Sequence, residues 1–110
     1  MKINRTSREF KPAEVYKITK SNSIGKMTEC NESVITVTGF ISYTDEKEDG
    51  TSVDILSIET ANCGILATNS ATFIRTFFDI IEIMGDLPVD ITIGHDVSKN
   101  GRNYIYADLA

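Results

Sequence analysis

Residues 70–84 read SATFIRTFFDIIEIM, and the reading of this stretch decides how the rest of the chain is parsed. Phe73, Phe77, Ile80, Ile81 and Met84 recur at helical spacing and form one broad apolar stripe, which Ile74 and Phe78 widen. Asn69 or Ser70 can cap the free amides of the first turn, and Gly85 can adopt the left-handed conformation that ends a helix. An aromatic stripe of this width belongs in a core, so the helix is expected to act as a plug and is assigned no chemistry.

On either side of this helix the periodicity changes to that of strands. Residues 33–44 (SVITVTGFISYT) alternate Ile35, Val37, Ile41 and Tyr43 with threonines and serines, and Gly39 marks a bend or bulge in a long, curling strand. Phe40 breaks the alternation and is expected on the outward face. A charged turn at 45–51, containing Asp49-Gly50, leads to a second strand at 52–60, and a short third strand at 65–68 runs into the helix. After Gly85, Val89, Ile91 and Ile93 alternate in a fourth strand. A tight turn at Asn100-Gly101 joins it to a fifth at 103–109, with Ile105, Ala107 and Leu109 on one face and Tyr104, Tyr106 and Asp108 on the other.

Three strands, one helix and two strands is the order of the OB-fold, a five-stranded, partly open barrel. The expected architecture is therefore mainly β, a β-barrel with helices. A short N-terminal helix over 12–19 begins at Pro12 and turns Val15, Tyr16 and Ile18 inward. Residues 1–11 lack periodicity and read as a flexible basic arm, and 21–32 read as a loop from which Ile24, Met27 or Cys30 can tuck against the barrel.

A chain of 110 residues with 41% apolar and 25% charged content fits one domain spanning 1–110, with no apolar run long enough to cross a bilayer. The charged start lacks the apolar core of a signal peptide, so a cytoplasmic location is expected. Cys30 and Cys63 are expected to be free thiols there, and with the single His95 they supply too few soft ligands for a zinc site. The acids of the 45–49 turn do not follow the spacing of a calcium loop.

The net charge of −5 is unevenly spread. Residues 1–26 carry seven bases against Glu9 and Glu14, residues 27–90 carry twelve acids against Lys47 and Arg75, and the remainder is neutral. One basic and one acidic face are expected.

No arrangement for catalysis is evident. His95 and Asp96 are neighbours on a strand and point to opposite faces, and the TNSATF segment lacks the glycines and lysine of a phosphate loop. A non-enzymatic protein without cofactor is expected. Binding of single-stranded nucleic acid asks instead for outward aromatics on which bases stack and for cations that follow the backbone. Phe40, Tyr104 and Tyr106 are the candidate rings; Lys99 and Arg102 at the last hairpin, with Lys17, Lys20 and Lys26 from the basic N-terminal segment, are the candidate cations.

Three stretches, REFKPAEVYKIT at 8–19 followed by Ser21, TNSATFIRTF at 68–77 and SKNGRNYI at 98–105, resemble a family of small single-stranded DNA-binding proteins from phages and prophages of Gram-positive bacteria. The resemblance implies an OB-like fold that coats single-stranded DNA during replication or recombination, with little sequence preference and no cofactor. Well-studied bacterial proteins of this function recruit partners through a long acidic-tipped tail; the sequence here ends at Asp108-Leu109-Ala110 after the last strand, so recruitment of replication or recombination proteins is expected to use the domain body. The edges of an open barrel leave room for a homodimer. An alternative reading is an OB-fold protein-interaction module whose acidic face docks on a host or phage protein; RNA binding is a third, since rings stack on any base.

Overall fold

The computed structural model describes all residues 1–110. In chain order the elements are β1 (Lys2–Thr6), α1 (Pro12–Thr19), β2 (Gly25–Lys26) followed by a single 3₁₀ turn (Met27–Glu29), β3 (Ile35–Glu46), β4 (Ser52–Thr60), β5 (Ile65–Thr68), α2 (Ala71–Met84), β6 (Val89–Val97) and β7 (Asn103–Leu109). The strands form one strongly curled sheet, a half-barrel, in the order β2-β5-β4-β3-β6-β7, with β1 added beside β3. The protein is thus mainly β with two helices.

Helix α2 begins and ends where its sequence marks it. Ser70 Oγ accepts the Phe73 amide at 3.2 Å, and Gly85 takes a positive φ of 80° while its N–H donates to the Ile81 carbonyl. Phe73, Phe77 and Ile81 are buried against Ile35, Val37, Leu56, Ile58 and Ile91 from the concave side of the sheet. The helix fills the space between β5 and β7, which do not pair with each other. On the β7 side it supplies hydrogen bonds that a strand would otherwise make: the Ala107 N–H donates to Thr76 Oγ1 at 2.8 Å, and Ser70 Oγ donates to the Ile105 carbonyl at 3.4 Å.

Strand β3 organises the sheet. Its first residues pair with β6 (Ile35↔Ile91, Val37↔Val89) and its later residues with β1 (Ile41↔Thr6, Tyr43↔Ile3), while β4 runs along its other edge. The change of partner coincides with a register shift between Val37 and Gly39. Residues 1–11 are therefore not a flexible arm throughout: β1 occupies the edge of β3 beyond β6, and Ser7 extends the pairing, its Oγ accepting the Phe40 amide at 2.9 Å. KINRT is exposed along its length, with Ile3 as its one apolar residue, so no alternation marks it as a strand.

Helix α1 spans the expected residues and packs over β3 and β4. Ile18 joins Ile41 and Tyr43 in a second, smaller core supported by Val15 and Phe10, and the Tyr43 hydroxyl donates to the Thr19 carbonyl at 3.1 Å. Tyr16, expected to face inward, is 61% exposed, because two turns of helix can bury only one narrow stripe. In the following loop Met27 is buried in the main core.

Cys30 and Cys63 are joined in a disulfide, with Cα atoms 6.3 Å apart, which overturns the expectation of two free thiols. The fold brings the end of the 3₁₀ turn against the β4–β5 turn, a proximity that two cysteines 33 residues apart do not advertise. The bridge fastens the β2 segment to the barrel, where β2 itself contributes only two paired residues, Gly25↔Leu66 and Lys26↔Ala67. Reduction, or Cys63→Ser, is expected to lower stability by about 3–4 kcal/mol from loop-closure entropy. Urea melts with and without reductant, alongside a thiol titration that finds no free thiol before reduction, measure this.

Candidate nucleic-acid interface

The β6–β7 hairpin closes through Gly101, at φ 77°, with Ser98 N–H donating to the Arg102 carbonyl at 2.8 Å. In the register of the pair, Gly94 lies opposite Tyr106 and Asp96 opposite Tyr104, so these four share one face of the ribbon. Ile105 and Ala107 turn to the other face and into the core. The sequence-predicted split of β7 into an apolar and a tyrosine face is what the structure has.

Gly94 has a specific purpose in this arrangement. A Cβ placed on it would fall within the Tyr106 ring, so the phenol lies flat across the bare backbone of β6. Tyr104 is next along, with ring centroids 6.4 Å apart and planes inclined by 47°. Desolvation, reinforced by the charge of the neighbouring Asp96 carboxylate and a hydrogen bond to it, raises the Tyr104 phenol above its ordinary pKa. Both tyrosines are half-buried and each leaves ring surface open. Lys99 and Arg102 flank the turn, exposed and without an ion-pair partner.

The remaining candidates are distributed differently. Phe40 is not outward: it is 3% exposed and meets Phe77 and Phe78 edge-on at 5.5 and 5.4 Å. The register shift at Gly39 advances the alternation by one, so Phe40 enters the main core, while Ile41 and Tyr43 pass to the opposite face beneath α1. Lys20 is engaged by the Asp45 carboxylate and sits 5.1 Å over the Tyr43 ring. Lys17 is exposed and unpaired, on a helix that covers β3 and β4 and is separated from β7 by β6 in the sheet order.

Lys26 lies closer to the tyrosines than its place in the sequence suggests. It lines a cleft of about 360 Å³ with Met27, Thr28, Thr68 and Asn69, and the last three of these also line a larger cleft of about 710 Å³ that reaches Tyr104. The two clefts adjoin through these shared residues, beside β2 and the end of β5 on one side and β7 on the other. The larger cleft is further lined by Ser70, His95, Asp96 and Asn103. The sequence marks His95 only as a neighbour of Asp96, Asn69 only as a helix cap and Asn103 not at all, because the seam that gathers them is a gap between strands rather than a motif. Gly94 opposite an outward tyrosine carried the one local signal of a ring docked on backbone.

No protein-family model, curated protein or solved structure matches the chain. No helix is long and apolar enough to cross a membrane.

Two substitutions separate the roles of the rings. Phe40→Ala is expected to cost about 3–5 kcal/mol of stability, as for other buried phenylalanines, read in denaturant melts. Gly94→Ala forces the Tyr106 ring off the sheet; a changed near-UV dichroism of the tyrosines and a destabilisation of about 1–3 kcal/mol are the expected readouts.

Proposed function

We propose that this chain is an OB-fold protein that binds single-stranded DNA, with bases stacking on Tyr104 and Tyr106 and the backbone following Lys99, Arg102 and Lys26. The observation that carries the reading is the pair of adjacent tyrosines held on the outer face of the β6–β7 ribbon beside two cations free of carboxylate partners. Support for the OB reading comes from the curled sheet, in which β5-β4-β3-β6-β7 follow one another between the two-residue β2 at one end and an unpaired β7 edge at the other, and from α2 lying between β5 and β6 in the chain.

Each stacked base is worth on the order of 1–3 kcal/mol, so two rings offset a small number of phosphate contacts in a protein of net charge −5. The acids concentrated in 27–90 repel a polyanion from much of the surface and favour the hairpin edge. Binding of this kind reads little sequence, since every base has a π-face. A role in phage DNA replication or recombination, with replication or recombination proteins as partners and a homodimer as one assembly, belongs to the same proposal. A protein-interaction module is the second reading, supported by the exposed acids Glu46, Glu48 and Asp49 around the β3–β4 turn.

Fluorescence anisotropy with a labelled dT oligomer at low salt tests the reading. Tyr106→Ala is expected to weaken binding by about 5- to 150-fold, and Arg102→Ala to reduce the slope of log K against log salt by about 1. Absence of binding by the wild-type protein would sink the proposal, and recovery of a stable protein partner in its place would establish the second reading.

A further inference from the structure

The geometry points to a second mode of recognition in the same protein: the seam cleft between β5 and β7 takes a single splayed-out nucleobase and prefers adenine and cytosine, which carry an amino group where thymine carries a carbonyl, over thymine. This inference rests on single-strand binding as proposed above, and adds base selectivity to it.

The cleft's volume, about 710 Å³, is within the range of small-ligand sites, and it opens beside Tyr104, so a strand running over the tyrosines passes its mouth. Part of its polar lining is uncommitted, the Thr68 and Ser70 hydroxyls being engaged at the start of α2. The side chains of Thr28, Asn69, His95 and Asn103 make no hydrogen bond within the protein, and Asp96 uses one oxygen, Oδ1, to accept the Val97 amide at 2.8 Å. Two carboxamides offer the paired donor and acceptor that match a base edge, and asparagine suits adenine in this way. The Asp96 carboxylate, which also takes the Tyr104 hydroxyl, keeps lone pairs with which to accept from an amino group, as acidic side chains do from cytosine, and repels the carbonyl that thymine presents at the same position. Ile105 gives the floor an apolar element.

An extended peptide is the other occupant such a seam could suggest, by adding a strand to β7. The edge of β7 is already in use there, since its Ile105 carbonyl and Ala107 amide are bonded to Ser70 and Thr76 of α2. What the cleft leaves available is side chains, and a single-stranded base presents its hydrogen-bonding edge to side chains.

Competition against a labelled all-dT oligomer at fixed salt, using dT oligomers with one central dA or dC, tests this. The substituted oligomers are expected to compete about 5-fold better or more than all-dT. The ratio should collapse towards one in Asn69→Ala/Asn103→Ala, whose exposed side chains hold nothing else in place. Equal competition by all oligomers, or a preference that survives in the double variant, overturns base selectivity while leaving stacking-based binding intact. Failure of any oligomer to bind removes the underlying function as well, and is told apart by the signal of the all-dT probe alone.

Discussion

The constraint on which most of this structure depends is that one strand, β3, changes partners partway along its length. Up to Val37 its free edge belongs to β6; past Gly39 it belongs to β1. The extra residue at that point rotates the strand by one side-chain position. Before it, Ile35 and Val37 face α2; after it, Phe40 faces α2 and Ile41 and Tyr43 face α1. A strand buried on both faces over half its length needs a helix on each side, so the shift explains both the second core and the short amphipathic α1 that covers it. It also explains why the sheet curls: β6 and β1 leave the same edge of β3 in different directions.

The consequence for the candidate interface is a separation of aromatic roles. Phe40, Phe73, Phe77 and Phe78 are committed to the interior, where edge-to-face contacts and burial fix α2 against the sheet. The rings of the candidate interface are tyrosines on β7, kept out of the core by strict alternation, and Tyr106 is held flat on a glycine across the ladder. The cations divide in the same way. Lys20 is tied to Asp45, and Arg8 to Glu14 and Glu59, so the excess positive charge of the N-terminal segment is partly neutralised by the fold, while Lys99 and Arg102 keep theirs.

Much of the architecture was legible in the sequence, and the failures have identifiable physical causes. α2, β4, β5, the β6–β7 hairpin and the two faces of β7 follow from local signals: a wide 3.6-residue stripe, Asx-Gly turns and unbroken alternation. Phe40 was misplaced because alternation was extrapolated through Gly39, recognised as a possible bulge but not given its effect on phase. β1 was missed because a strand that buries nothing has no hydrophobic signature, its pairing being decided by the vacant edge of β3. The disulfide and the seam cleft were missed for one shared reason: each joins segments distant in sequence, and only the folded sheet sets Cys30 near Cys63, or Asn69 near Asn103.

The two hydroxyls of α2 that reach β7 have a further significance. An unpaired strand edge is a template for association with any other extended chain, and a barrel left open exposes two such edges. Ser70 and Thr76 satisfy a carbonyl and an amide of β7 as a neighbouring strand would, yet from a helix that cannot itself extend the sheet. The helix thereby acts as a terminator for the ladder: it lets the barrel remain open enough to have a cleft without offering that part of β7 as a start point for edge-to-edge growth.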